Sequence, residues 1–200
     1  MDFALPPEID DYRARIRAFV DAHIIPLEAD SANYDEHENI RPNVLEDVRT
    51  KVKAEGLWSL QMPKERGGQG LSVAGMTPCY EEMNRSIFGP VCFNSAAPDD
   101  GNMIILNKIG TDAQKERWLQ PIIDGKVRSS FAMTEPAPGS GSDPSAMQTT
   151  ANKKGDTWVV NGRKWFITGA GEAQHFILIA RTSGDTRRGL SAFLFDADQP

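Results

Sequence analysis

The sequence predicts an α+β protein of more than one domain. An all-helical N-terminal domain over residues 1–125 is followed by an antiparallel β-barrel or sandwich over 126–200 that lacks a closing element. Three observations carry this expectation. Up to Gly125 apolar residues recur at helical spacing. Beyond it the texture changes to short β-branched and aromatic runs broken by turn-forming pairs. The composition, 40% hydrophobic and 25% charged with a mean hydropathy of -0.43, provides enough apolar surface to offset chain entropy.

The first helix is expected from Glu8 to about Ala29, with Ile9, Tyr12, Ile16, Phe19, Val20 and Ile24 on one face. Pro26 should break or kink it, having no N–H and clashing with the preceding turn. A second helix spans Pro42 to Glu55, with Val44, Leu45, Val48 and Val52 aligned and Gly56 as its stop. A third runs from Ser72 to Phe88, stopped by Gly89-Pro90. Two more are expected, Asp99 to Ile109 and Thr111 to Ile123, the latter opened by an N-capping Thr-Asp pair. Strands are expected at Val127–Thr134, Met147–Asn152, Thr157–Val160, Arg163–Thr168, Phe176–Arg181 and Leu190–Phe195. Asn161-Gly162 is the best two-residue hairpin signal between two such runs.

Charge and cysteine usage narrow the function. With 22 basic against 28 acidic residues, a net charge of -6 and a pI near 5.1, the chain lacks the Lys/Arg excess that phosphate-backbone binding needs, so no nucleic-acid partner is expected. Cys79 and Cys92 are too few for a disulfide framework or zinc cluster and read as reduced structural thiols. Residues 1–25 interleave charges and hold no long apolar run, so no signal peptide or membrane insertion is expected, and the location reads as cytoplasmic. His23, His37 and His175 lie far apart without ligand spacing, so no metal site is expected. No Gly-x-Ser-x-Gly elbow or Walker loop is present. The glycine-dense Gly67-Gly68-Gln69-Gly70 lacks a strand–turn–helix setting and reads as a surface loop.

Two stretches carry candidate chemistry. Phe131-Ala-Met-Thr-Glu-Pro-Ala-Pro-Gly-Ser-Gly-Ser-Asp-Pro144 leaves a strand, turns at Glu135-Pro136 and then presents glycines around two hydroxyls. Backbone N–H groups in such a turn can nest an anion, with Ser140 and Ser142 as further donors, so a phosphate or pyrophosphate would fit; a plain Gly/Ser/Pro linker also fits. Lys164-Trp-Phe-Ile-Thr-Gly-Ala-Gly171 follows. If it is a strand, Phe166 and Thr168 share one face, where a ring and a hydroxyl could hold a flat heteroaromatic; a hydrophobic strand end is the alternative.

Together these segments resemble the acyl-CoA dehydrogenase family. Arg128-Ser-Ser-Phe-Ala-Met-Thr-Glu-Pro136 is similar to the run leading into its Thr-Glu-Pro, Gly141-Ser142-Asp143 to its Gly-Ser-Asp, and Asn161-Gly-Arg-Lys-Trp-Phe-Ile-Thr168 to its Asn-Gly-x-Lys-x-Trp-Ile-Thr. Gly101-Asn-Met and Gly110-Thr-Asp-Ala-Gln-Lys-Glu-Arg-Trp-Leu119 match its helix connection. The resemblance implies a helical N-terminal domain, a middle β domain and a C-terminal helical bundle, with FAD bound between domains and a homotetramer or homodimer. It implies removal of two hydrogens across Cα–Cβ of an acyl-CoA thioester, with electrons passed to an electron-accepting flavoprotein.

Cofactor-binding positions carried over are Phe131, Met133, Thr134, Gly141, Ser142, Phe166, Ile167 and Thr168. Thr134 matches the donor at the flavin N1–C2=O edge and Thr168 the hydroxyl at N5. Phe166 stands where the family has tryptophan. Either Ser140 or Ser142 would take the phosphate role, with Ser142, anchored by Asp143, favoured. Ser142, Ala96 and Met103 are the substrate-binding positions, from an acyl-lining region around Phe93 to Met103; Asp99 and Asp100 there read as a helix cap. The family's catalytic glutamate lies in the C-terminal bundle. No residue here matches it, Glu135 reads as solvated or paired, and the 200-residue chain alone is expected to be inactive. Related flavin monooxygenases or nitroalkane oxidases, and a truncated non-catalytic partner subunit, are the alternatives.

Overall fold

The computed structural model describes residues 4–139, 141–185 and 188–198. The chain divides into two compact units, one up to Ala96 and one from Ala97 on. In the first, helix α1 covers Pro7–Phe19, α2 Pro42–Ala54, α3 Val73–Met83 and the short α4 Gly89–Cys92. Ile16, Phe19, Val48, Val52, Met76 and Met83 join one buried cluster across α1, α2 and α3, which is the face that their helical spacing defines. Glu82 of α3, itself buried, accepts two hydrogen bonds from Arg17 of α1, at 3.0 and 2.9 Å.

Two prolines, Pro26 and Pro121, each follow a π-type turn. After α1 the chain passes through a π-type turn at Val20–Ile24 into a 3-10 turn at Ile25–Ala29. The Ile25 N–H reaches back to Val20 O, just before Pro26. A second π-type turn, Lys115–Leu119, likewise closes through the N–H of Gln120, just before Pro121. Proline lacks an N–H and crowds the preceding turn, and the wider turn absorbs the mismatch without ending the helix. Gly89-Pro90 behaves differently from the expectation. The third helix ends at Met83, and Gly89-Pro90 opens α4, since proline suits a first helical turn. A Cβ on Gly89 would lie 1.8 Å from Met83 O. The Gly67–Gly70 loop is only partly a surface loop, because Gly68 is buried against Met62.

In the second unit, α5 (Asp99–Ile109), α6 (Asp112–Gln114) and α7 (Gln120–Ile123) precede five strands. Thr111 caps α6 through a reciprocal capping box with Gln114. The strands are β1 Ser129–Ala132, β2 Thr150–Lys154, β3 Thr157–Asn161, β4 His175–Arg181 and β5 Leu190–Asp196. β4 is central. It pairs antiparallel with β5 along its whole length, parallel with β1 from Ser129↔His175 to Ala132↔Leu178, and parallel with β2 at Thr150↔Arg181. β2 and β3 form an antiparallel hairpin.

The sheet is therefore mixed, where the sequence suggested an antiparallel barrel or sandwich, and among the described residues it does not close. The cause is connectivity: 133–149 and 162–174 are long irregular excursions, and only such crossovers let β1, β2 and β4 run parallel. Two local expectations also change. Asn161-Gly162 ends β3 without making a hairpin, and the β2–β3 turn is Gly155-Asp156, with Gly155 at φ +60. Residues 163–168 are not a strand.

Asp99 is not a helix cap. Its side chain is 3% exposed and accepts hydrogen bonds from Arg128 Nε (2.5 Å), Ser129 N (2.7 Å) and Ser129 Oγ (2.7 Å). Asn102 Nδ2 donates to the same Ser129 Oγ at 2.9 Å. The first turn of α5 is thus fastened to the start of β1. No described helix is long and apolar enough to cross a membrane, and no described group of His, Cys, Asp or Glu could hold a metal ion.

Candidate functional site

The two segments singled out in the sequence, about thirty residues apart, lie side by side. Ser130 Oγ donates to Thr168 O at 2.8 Å, and Trp165 N donates to Thr134 O at 3.1 Å. Lys164 Nζ donates to Met133 O and to Glu135 Oε1, both at 2.9 Å. Phe131, Met133 and Thr134 are thereby brought against the run containing Phe166, Ile167 and Thr168. Phe131, Met133, Thr134 and Ile167 are half-buried, while Phe166 and Thr168 are exposed.

Phe166 is the unusual residue. Its backbone is left-handed at φ +52, and its side chain is 80% exposed. Its ring lies 4.4 Å from the Trp165 ring, inclined by 33°. A bulky L-residue in that region is strained by about 1–2 kcal/mol, and such strain concentrates at ligand sites. An exposed aromatic pair suits a flat ring.

Glu135 braces the arrangement from below. It is 2% exposed. One carboxylate oxygen accepts from Gln148 N (2.6 Å), and the other accepts from Thr149 N (2.8 Å) and Lys164 Nζ (2.9 Å). Burial alone would push its carboxyl up, but the Thr149 side chain, these backbone N–H groups and the Lys164 ammonium outweigh that and hold it at about 2. Of the two expectations for this residue, paired is what the structure shows. A Cβ on Gly139 would come within 2.6 Å of Glu135 Oε2, so the turn packs directly onto the carboxylate.

The glycine-rich turn is less ordered into a site. Gly141 has φ +62 with open space around it, and Ser142 is exposed. Asp143 does not anchor Ser142: its carboxylate accepts from Ser145 N at 2.8 Å and opens the 3-10 turn Pro144–Ala146. Ser140 lies outside the described residues. Ala96 is half-buried in the first unit, and Met103 in the second has no exposed surface.

Sequence reasoning missed Lys164 and Ser130 as the residues that align the two runs. A lysine set directly before Trp165-Phe166-Ile167 was the available signal, since a charge beside an apolar run that turns inward needs a buried partner.

Comparison with known proteins agrees with this arrangement. Residues 6–126 match the family model for the acyl-CoA dehydrogenase N-terminal domain, and residues 130–200 match that for its middle domain. The chain is 41% identical over 192 residues to a Mycobacterium tuberculosis protein named as acyl-CoA dehydrogenase FadE2, covering 92% of this chain and 46% of the relative. A solved Mycobacterium abscessus structure described as an acyl-CoA dehydrogenase superposes with a TM-score of 0.89 at 35% identity, covering 99% of this chain and 52% of that one. The solved FAD complex of PigA superposes at 0.81 with 27% identity, covering 100% and 50%. The chain thus spans about half the length of the relatives it matches. It belongs to the acyl-CoA dehydrogenase family, with that family's N-terminal and middle-domain sequences in order.

Proposed function

We propose that this chain is the flavin-binding part of an FAD-dependent acyl-CoA dehydrogenase. The observation that supports the reading is that hydrogen bonds to backbone carbonyls, Trp165 N to Thr134 O and Ser130 Oγ to Thr168 O, join the two segments beside an exposed Phe166 ring. The isoalloxazine would lie against Phe166, with Phe131, Met133 and Ile167 as neighbouring contacts. Thr134 would donate toward the N1–C2=O edge, where charge gathers on reduction, and Thr168 toward N5. Gly141 and Ser142 would serve the pyrophosphate and Ser142 also the acyl-CoA; Met103 has no exposed surface to offer a ligand. FAD, when bound, supplies the acceptor for the hydride leaving Cβ.

The Cα proton needs a positioned carboxylate with an accessible lone pair. Glu135 does not meet that requirement, because it is buried, fully engaged and held at about 2. No residue of this chain is assigned as the base, and the chain alone is proposed to be inactive. We also propose a helical domain over 1–125 joined to a β domain over 126–200, a homotetrameric or homodimeric assembly, and an electron-accepting flavoprotein as partner.

Titration with FAD, followed through protein-fluorescence quenching and the flavin absorption band, tests the reading. Saturable binding followed by anaerobic bleaching on acyl-CoA addition is expected of the protein with its full catalytic complement. Absence of FAD binding would refute it and favour a non-catalytic partner role.

A further inference from the structure

We propose that Glu135 and Lys164 are a positioning pair that sets the orientation of Phe166 for the cofactor. The proposal rests on the flavin reading above and assigns it two residues whose side chains are buried.

One carboxylate ties three pieces of chain together. Through Oε2 and Oε1 it takes the N–H groups of Gln148 and Thr149, where the excursion returns to the sheet; through Oε1 it also holds Lys164. Lys164 spends its second hydrogen bond on Met133 O, just beyond the end of β1. Both side chains are nearly excluded from solvent, Lys164 at 10% and Glu135 at 2%. The next residue, Trp165, bonds Thr134 through its backbone, and the one after is the strained Phe166. Two consecutive residues are therefore fixed immediately before a ring that meets Trp165 at 4.4 Å and is otherwise 80% exposed.

An apolar pair of similar volume could fill this space without large loss of stability, but it would not fix direction. Hydrogen-bonded charges do fix it, to within the tolerance of their geometry. The contrast within the chain is Arg17–Glu82, where Arg17 is 60% exposed and joins α1 to α3 within the first unit. That pair serves as the structural control.

The test uses the full-length protein with FAD itself as the probe. Lys164→Met is expected to raise the FAD Kd about tenfold by loss of preorganisation. Glu82→Gln, chosen to lower the thermal midpoint comparably, is expected to leave Kd within about twofold. In a Phe166→Ala background the effect of Lys164→Met on Kd should shrink to under about twofold, because the lysine acts through the ring. Additive effects, an unchanged Kd in Lys164→Met, or equal weakening by Glu82→Gln would overturn the proposal. Should Lys164→Met not fold, amide exchange in the wild-type apoprotein decides: the Trp165, Gln148 and Thr149 amides should share one opening free energy, and independent openings overturn the coupling. Failure of the wild-type protein to bind FAD sinks the flavin reading instead, and the exchange result still reports on the pair.

Discussion

Replacing Phe166 with asparagine separates a ligand-facing ring from a structural one. Asparagine tolerates the left-handed region, so the substitution relieves much of the strain of about 1–2 kcal/mol that the φ of +52 imposes. Against that gain stands the lost contact with Trp165 at 4.4 Å, about 0.5–1.5 kcal/mol for an aromatic pair. Little buried area is forfeited, because the side chain is already 80% exposed. The two terms offset, so stability should change by no more than about 1 kcal/mol, or about 2–4 °C in thermal midpoint for a chain of this size. A buried phenylalanine cut back in this way would cost about 3–5 kcal/mol. FAD affinity should nonetheless fall by a factor of about 2–10, the same aromatic contact energy now lost at the cofactor. Differential scanning of the apoprotein and FAD titration of Phe166→Asn and wild type supply both numbers. A fall in midpoint of core size would show that the ring is structural, and an unchanged Kd would show that no flavin meets it.

Four further outcomes are expected. Glu135 is held at about 2 against an ordinary 4.5; a carboxyl depressed on folding lends stability above 4.5 that is lost as pH falls from about 4.5 to about 2, so Glu135→Gln should flatten the acid-denaturation curve in that window. Gly162→Ala would place a Cβ 2.2 Å from Thr149 Oγ1 and 2.7 Å from its Cα, costing about 1–3 kcal/mol in urea unfolding; a neutral result would mean that the Thr149 segment moves freely. Burial pushes the Cys79 and Cys92 thiols up to about 11 and about 12, so neither should react with a thiol reagent at pH 8 until the protein is unfolded. Asp99→Ala should cost about 3–5 kcal/mol because Arg128 is left without its buried partner; a loss near 1 kcal/mol would be that of a simple cap.

Helix positions were legible wherever local rules and burial agreed. Pro42 through Ala54 and Asp99 through Ile109 fall where apolar spacing and glycine stops put them. The sheet was half legible. Strand positions follow from β-branched runs, but their order and direction depend on where the excursions 133–149 and 162–174 re-enter, and those excursions meet through contacts such as Lys164–Glu135 that span about thirty residues. Asn161-Gly162 was misleading because a hairpin signal is local, whereas Gly162 is kept small by close approach to Thr149. Gly155-Asp156 makes the β2–β3 turn where a glycine and an aspartate separate two β-branched runs, as local turn chemistry requires. Asp99 misled for a similar reason: an aspartate before a helix usually caps it, and only the fold reveals that Ser129 and Arg128 compete for its oxygens.

Besides the buried Asp99–Arg128 pair, several departures from local rule in the second unit fall in one stretch. Between Glu135 and Phe166 the chain buries a charged pair, closes a glycine turn against a carboxylate, and leaves a strained aromatic uncovered. Each is unfavourable, or at best neutral, for stability when taken alone. Elsewhere in the same unit, Thr111 makes a full capping box and β4 and β5 keep a regular register over seven residue pairs. If the pair and the strain served folding only, they would be expected where they secure the most buried apolar surface. Instead they converge on one exposed ring. A ligand that covers Phe166 would bury its surface and offset the strain on binding, and that compensation is what the concentration of unfavourable features at this one place requires.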